Sequence, residues 1–457
     1  MGITSPQPKP KNGMEASFNA SMQAPATLKE RFVWLAYLGI LFFLLYGSAN
    51  EFASLTAPHP SWLFAWESQI PFIEIFIIPY MSSDIIFVIA FLLAQNRLEL
   101  RTLAVRVAFI VLLSVAMFVV MPLQFSFVKP EIIQFPFLFT LLEADKPFNQ
   151  LPSLHVSFAI VFWFSMQQHM KALWLKALLG CWLLLIIIST LFVFQHHFVD
   201  LPTGLLVGFT AITMFTPKRS PSLLTSFMTP RHLKMALYFL LSSILMMVLS
   251  FKVSVYFIYP FLSLLSVSLV YAFGLNDLLV KPGHKANLWQ WLIFAPYFLG
   301  SKLSWRYYKR SLPLFAKVND KLYFGRFPTT EEYQQLADLG VNTVINLASE
   351  LQGNETRLAQ HRLNFLDQTI QSPQAIHQAV MLIEQSIKQG VYVHCALGLS
   401  RSVLVIWAWM LFNGKSNAEI ENELKSIRPR YVQSKYMAIN IDLYQQFLST
   451  KLGDVNL

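Results

Sequence analysis

Residues 393–402 read Val-His-Cys-Ala-Leu-Gly-Leu-Ser-Arg-Ser, so Cys395 is followed, after five residues, by Arg401 and the hydroxyl of Ser402. These residue types at this spacing suit attack by sulfur on a phosphate ester. An apolar strand, Val391–Val393, delivers the cysteine, and an apolar helical stretch, Val403–Phe412, follows the loop, with Gly414 as its stop. The amides of Ala396, Leu397, Gly398, Leu399 and Ser400 and the positive end of the helix then converge on one spot, which cradles an anion. A cysteine placed there has a lowered pKa and supplies a thiolate near neutral pH. Arg401 can clamp two phosphate oxygens with its planar fork. Gly398 lets the backbone turn without steric cost. The plain alternative is a buried cysteine ahead of an ordinary surface arginine.

A second constellation lies upstream. Residues 152–155 read Pro-Ser-Leu-His, and residues 189–200 read Ser-Thr-Leu-Phe-Val-Phe-Gln-His-His-Phe-Val-Asp. His196 and Asp200 are four apart and can share a helical face. A carboxylate bonded to one imidazole nitrogen fixes the tautomer and frees the other nitrogen to attack. Histidines and an acid at the ends of apolar spans are costly and point to function.

The elements that carry these residues follow from composition. Of 457 residues, 55% are hydrophobic and only 13% charged, about half the usual share, which indicates a polytopic membrane protein. The net charge of +10 is therefore read as cytoplasmic loops and tails, with no nucleic-acid partner. Eight apolar runs are read as spans: Phe32–Gly47, Ile70–Ala94 (interrupted at Pro79 and Ser82-Ser83-Asp84), Leu103–Met121, Val156–Met166 (short, but extended if His155 sits at the interface), Ala177–Phe194, Leu201–Phe215, Met235–Ser250 and Val253–Phe273. Lys9, Lys11, Lys29 and Arg31 precede the first run. Further basic clusters follow every second run: Arg97, Arg101 and Arg106, then Lys171 and Lys176, then Lys218, Arg219, Arg231 and Lys234, then Lys281 and Lys285. That alternation places the N-terminus and the region after the eighth span in the cytoplasm, and His155 and His196 on the outer side. Leu288–Leu299, Trp-rich and broken by Pro296, is expected to be interfacial, since Lys302, Arg306, Lys309 and Arg310 follow it. Residues 1–28 are polar and Pro-rich, too polar for a signal peptide and expected to be disordered.

The two cysteines differ in expectation. Cys181 sits in an apolar span as inert packing, and no disulfide framework is implied. A thiolate at Cys395 is safest in a reducing compartment, in agreement with a cytoplasmic C-terminal region. From about Ser311 the chain reads as a compact α/β domain: a strand at Leu322–Gly325, a helix at Thr330–Leu339, a strand at Val341–Leu347, a helix at Pro373–Gln389, the Val391 strand, and helices at Val403–Phe412 and Asn417–Ser426.

The His-Cys-x5-Arg-Ser run resembles the cysteine-dependent protein tyrosine and dual-specificity phosphatases, as do the segments DKLYFGRFP, LADLGVNTVINLASE and SIRPR, over residues 318 to about 445. That resemblance implies a cysteinyl-phosphate intermediate and an aspartate acid on a loop before the cysteine. Asp367 is the sole aspartate between the Val341 strand and Cys395, with a helix cap or a solvated carboxylate as the alternative. It also implies that Ser402 bonds the sulfur and eases its departure, and that His394 holds the local hydrogen-bond geometry, unless it is simply a strand-end histidine bonded to backbone. Arg428 and Arg430 read as a solvated helix end, with contact to an anionic substrate as the alternative. No metal or cofactor is required.

The second constellation resembles the type 2 phosphatidic acid phosphatases, in particular the branch similar to inositol phosphorylceramide synthase, over roughly residues 65–217. That resemblance makes His155 the leaving-group acid, His196 the nucleophile and Asp200 its partner. Ser189-Thr190 stands where a Ser-Arg is usual, and no Lys-x6-Arg-Pro precedes His155. Lys129 and Lys146 are the substitutes at hand, or else rim lysines for headgroups.

The expected fold is thus a polytopic α-helical membrane bundle, a six-helix phosphatidic acid phosphatase-like core plus extra spans, followed by an α/β cysteine-phosphatase domain. The expected division is a flexible cytoplasmic tail at 1–31, a membrane domain at 32–305 and a phosphatase domain at 306–457. The resemblances imply a bacterial-type inner (plasma) membrane protein. Its expected function is a membrane-anchored hydrolase of phosphate monoesters on a lipid or headgroup. The alternatives are a phosphotransferase between lipids, a membrane-anchored protein phosphatase with an inactive bundle, and a scaffold with both sites dead.

Overall fold

The computed structural model describes residues 24–143, 145–216, 228–281, 283–352 and 357–453. The expected disordered tail falls, up to residue 23, outside the described residues, and so do Lys9, Lys11, Lys218 and Arg219. Two compact units separate, residues 1–225 and 226–457. The cut lies well before the change of composition near residue 305, because the last apolar helices pack with the C-terminal residues.

The first unit is helical: α1 (Leu28–Thr56), α2 (Ile77–Leu93), α3 (Arg97–Val120), α4 (Pro136–Leu142), α5 (Leu154–Met166), α6 (Leu173–Phe192) and α7 (Asp200–Met214). Thr27 and Glu30 close a capping box on α1, and Asn96 caps α3. On α1 the buried Trp34, Leu38, Leu41 and Leu45 recur at helical spacing, while Phe32, Phe43 and Leu55 are exposed. A helix apolar all round, with one face packed and the other open, suits a lipid-facing position. Cys181 is exposed on α6 rather than packed, a correction to the expected inert burial. An evenly apolar run does not mark its inner face.

Glycines set the closest packing in this unit. A Cβ on Gly204 would lie 2.6 Å from the Ser153 carbonyl oxygen, and one on Gly208 2.9 Å from that of Ser157. The two glycines let α7 press against α5, and Ser157 Oγ donates to the Gly204 carbonyl at 2.9 Å.

The second unit opens with α8 (Pro230–Lys252), α9 (Ile258–Phe273), α10 (Asn276–Leu279) and α11 (Leu288–Tyr308). α11 runs nine residues past the expected end at Leu299, with Asn287 and Gln290 as its capping box and Pro296 inside it. Among the described residues, six helices are long and apolar enough to cross a membrane, at 28–56, 74–93, 97–120, 173–192, 230–252 and 255–273, the second and sixth counted with the short turns that lead into α2 and α9. The fourth and sixth expected spans are α5 and α7, of 13 and 15 residues. At 1.5 Å per residue they reach about 20–22 Å, less than the ~30 Å hydrocarbon core.

The rest is α/β: β1 (Phe315–Lys317), β2 (Leu322–Gly325), α12 (Thr330–Asp338), β3 (Thr343–Asn346), β4 (Ala359–Arg362), α13 (Pro373–Ser386), β5 (Val391–His394), α14 (Arg401–Phe412), α15 (Asn417–Ile427) and α16 (Lys435–Gly453). The sheet order is β1-β2-β5-β3-β4, with β1 antiparallel to β2 and the other neighbours parallel. β5 is central and all four of its residues are buried, as an apolar run in a parallel sheet covered on both faces must be. Its carboxyl end is where α/β sheets bind ligands, and Cys395 follows directly.

Candidate active site

The turn from β5 into α14 builds a pocket around the sulfur. Gly398 has φ +70°, and a Cβ there would lie 2.4 Å from the Gly325 carbonyl carbon and 2.6 Å from the Arg326 nitrogen. Only glycine allows the loop this close to the end of β2. The Gly398 amide donates to Cys395 Sγ at 3.3 Å, and Ser402 Oγ lies 3.5 Å from the same sulfur. Burial pushes the thiol up, but the Arg401 guanidinium, the Ser402 hydroxyl and the Ser402 and Gly398 amides outweigh it and hold the thiol below its ordinary value. Arg428 is buried, not the solvated helix end expected: its Nη2 donates to the Leu397 carbonyl at 3.3 Å and its Nη1 to that of Pro313 at 3.2 Å. It pins the loop from outside. Arg430 is exposed.

Arg401 sits in the first turn of α14. Its Nη1 donates to the Phe365 carbonyl at 2.9 Å and to Glu350 Oε2 at 3.0 Å, while Nη2 also bonds Glu350 and lies 3.1 Å from Asp367 Oδ1. Burial works against the charged guanidinium, yet the Asp367 and Glu350 carboxylates outweigh it and hold it well above its ordinary value. Glu350 was not singled out from the sequence. Its signal is position: β3 pairs with β5 so that Asn346 faces His394, and Glu350 follows in the next turn, at the same end of the sheet as the cysteine.

Asp367 occupies the turn after β4, its side chain 42% exposed against 4% for Arg401. It is brought into the same cleft as Cys395 and Arg401, a cavity of about 610 Å³ lined also by Ala396, Leu397, Leu399 and Ser400 and by residues of α8, α9 and α11. His394 is buried between the rings of Phe327 and Tyr392, with Nδ1 3.3 Å from the Cys395 carbonyl oxygen. Burial pushes it down to about 3, so the ring is neutral at physiological pH. A neutral ring can donate that Nδ1 proton to the carbonyl and steady the loop's first residue.

The histidines of the first unit are also brought together. His196 Nδ1 lies 3.1 Å from Asp200 Oδ2, and that oxygen accepts the His197 amide at 3.0 Å. The His155 and His196 rings stand 6.2 Å apart, and His155 packs on Tyr80 at 4.3 Å. The Gly204 contact draws the start of α5 onto the start of α7 and so makes this pair. His197 forms its own buried pair, Nδ1 3.1 Å from Glu67 Oε2. Lys146 is bound to Glu51 and Ser54. Lys129 is half-buried near Glu143 and Asp145, and burial lowers its ammonium despite both acids.

Residues 322–446 match the family model described as "Dual specificity phosphatase, catalytic domain". A curated protein of Dictyostelium discoideum, named as a rhodanese domain-containing dual specificity protein phosphatase, is 31% identical over 98 residues, 21% of this chain and 21% of that protein. The chain thus spans about a fifth of the length of that curated relative. Among solved structures, Tk-PTP in the active form is 22% identical with a TM-score of 0.27, covering 29% of this chain and 97% of that one. PTPMT1 in complex with PI(5)P is 19% identical with a TM-score of 0.28, covering 30% and 99%. The C-terminal domain is a dual-specificity phosphatase catalytic domain, and so a cysteine-dependent phosphoric monoester hydrolase.

Proposed function

We propose that this chain is a membrane-anchored phosphatase that hydrolyses the phosphate monoester of a lipid or lipid headgroup through a cysteinyl-phosphate intermediate. The observation that carries the reading is the convergence of Cys395, Arg401 and Asp367 in one cleft of a unit that also contains two membrane-length apolar helices. The phosphate oxygens take the amides of Ala396 to Ser400 and the Arg401 fork. The Cys395 thiolate attacks phosphorus, the S–P bond forms, the ester P–O bond breaks, and Asp367 gives its proton to the leaving alkoxide. Water then attacks phosphorus and loses a proton to Asp367. The S–P bond breaks, with Ser402 bonding the departing sulfur. Glu350 and His394 hold Arg401 and the loop in place. Substrate phosphate competes with Asp367 for Arg401 Nη2, which frees the acid for its task.

The setting we propose is a bacterial-type inner membrane, with the N-terminal tail (1–31) and the phosphatase domain (306–457) in the cytoplasm and a phosphatidic acid phosphatase-like membrane domain between them (32–305). A second, histidine-based site belongs to that reading: His196 as nucleophile, Asp200 orienting it and His155 as acid. The 3.1 Å His196–Asp200 contact and the nearby His155 ring support it. If that site moves phosphoryl groups between lipids, the chain is a phosphotransferase as well. The test is hydrolysis of lipid phosphates and phosphopeptides by Cys395→Ser, His196→Ala and the double variant. Cys395→Ser and thiol alkylation should each remove the cysteine-dependent share of monoester hydrolysis, and His196→Ala whatever share the histidine site carries. Full activity of Cys395→Ser on every phosphoester would overturn the cysteine mechanism.

A further inference from the structure

The cleft over Cys395 is not walled by the α/β domain alone. Met235 and Phe239 of α8, Leu264 of α9, and Pro296 and Gly300 of α11 line it together with the thiol and Arg401. Each of these helices runs from a residue that touches the phosphatase loops to an apolar one further along. On α8, Arg231 Nε donates to the Gln368 carbonyl at 2.8 Å, and Met235 and Phe239 follow at four-residue spacing on that face. On α9, the Tyr271 hydroxyl reaches the Asp367 carbonyl at 3.5 Å, with Leu264 seven residues before it. On α11, Trp305 Nε1 donates to the Phe327 carbonyl at 2.9 Å, with Pro296 nine residues before it. At 1.5 Å per residue each ladder carries the cleft about 10–14 Å away from the phosphatase loops. α8, and α9 together with the turn before it, are long and apolar enough to cross a membrane, which would set the far end of the cleft beside bilayer hydrocarbon.

Resting on the monoester-phosphatase reading above, we propose that α8, α9 and α11 form the acyl-chain half of the active site. The substrate is then a lipid whose phosphomonoester lies next to its apolar chain, taken sideways from the bilayer. The polarity of the lining argues for this occupant over a phosphopeptide. Thiol, guanidinium and carboxylate sit at one end, and Met, Phe, Leu and Pro at the other, and among the described residues no charged group lines the helix wall of the cleft. Hydroxyls of Tyr271, Tyr297, Ser301 and Ser304 also line it and suit the ester and glycerol oxygens between phosphate and chain. Gly300 offers a handle, because a Cβ built there meets no atom within 4 Å.

The experiment uses the full chain in detergent. The substrates are p-nitrophenyl phosphate, a series of alkyl phosphates of increasing chain length, and a phosphotyrosine peptide. For the wild type, kcat/KM should climb by up to about fourfold per added methylene until the slot is filled. Gly300→Trp, and independently Leu264→Trp, should lower the ratio of long-chain to aryl phosphate kcat/KM by about tenfold or more. Aryl phosphate turnover by a variant reports its fold, and the wild-type series alone decides the matter if neither variant folds. A flat chain-length series alongside Cys395-dependent turnover of aryl phosphate overturns this inference and leaves the cysteine mechanism standing. Faster turnover of the phosphopeptide than of every alkyl phosphate also overturns it. No turnover of any of them overturns both.

Discussion

Replacing Glu350 with glutamine keeps the shape of the group that grips Arg401 and removes its charge. Both side chains are 4% exposed, so the pair is screened by protein rather than water. Unit charges about 4 Å apart attract by about 4 kcal/mol at an effective dielectric near 20. Breaking a buried pair costs about 3–5 kcal/mol because the surviving charge stays buried. Glutamine returns part of this through one hydrogen bond, so a loss of about 3 kcal/mol is expected. For a unit of this size that is a fall in Tm of about 6–12 °C. Catalysis should suffer separately. Arg401 would keep the Phe365 carbonyl and Asp367 as partners, so its fork would turn toward the acid and away from the phosphate. A misdirected phosphate donor costs about 100- to 1,000-fold in kcat/KM, and the acid is held back at the same time. Thermal unfolding and aryl phosphate hydrolysis of Glu350→Gln, Asp367→Asn and the double variant measure both effects. If Glu350→Gln unfolds at the wild-type temperature and keeps wild-type kcat/KM, the argument that Glu350 orients the clamp is wrong.

Three further outcomes follow from the same geometry. The Cys395 thiol is held below its ordinary value of 9.0, so the pH midpoint of its alkylation should lie below that value and rise in Ser402→Ala. The stability gained from the lowered thiol is present above the unfolded value and lost as pH falls through the folded one. His394 is held at about 3 against an ordinary 6.5. As pH drops through that window the unfolded chain binds a proton that the folded chain refuses, which removes up to about 1.4 kcal/mol of stability per pH unit. His394→Gln should flatten the fall of Tm below pH 6.5, and an unchanged slope would show that the ring titrates normally. Gly204→Ala should destabilise the first unit by about 1–3 kcal/mol, since its Cβ would sit 2.6 Å from a backbone oxygen. Gly208→Ala, with its nearest contact at 2.9 Å, should cost less, and neutral behaviour of both in thermal unfolding would contradict the close α5–α7 packing.

The parts of the site that were legible in the sequence are those whose chemistry is local. The cysteine loop is one continuous run between a strand and a helix, and the lone aspartate before it, Asp367, lies beside Arg401 in the same cleft. The meeting of the His196 and Asp200 side chains was readable for the same reason, the two being four residues apart. What escaped was what depends on distant packing. Glu350 looks like any acid after a strand until β3 is placed beside β5. Arg428 looks like a solvated helix end until the Pro313 and Leu397 carbonyls close on it. The short strands β1 and β4 carry too few residues for a period to show, and Ala359–Arg362 is not apolar. The helices are the clearest case. A run that is apolar on every side announces a membrane but hides its inward face, so the exposure of Cys181 and the contribution of Met235, Phe239 and Leu264 to the phosphatase cleft could not be seen.

The most direct test of the central claim is to find where phosphate is carried during turnover. The full chain, mixed with a radiolabelled lipid phosphate and quenched in alkaline detergent within a turnover, should hold phosphate on the sulfur of Cys395, located by peptide mapping and absent from Cys395→Ser. A monoester turnover that leaves no phosphate on Cys395, whether it is held on His196 alone or on no residue at all, would contradict the account.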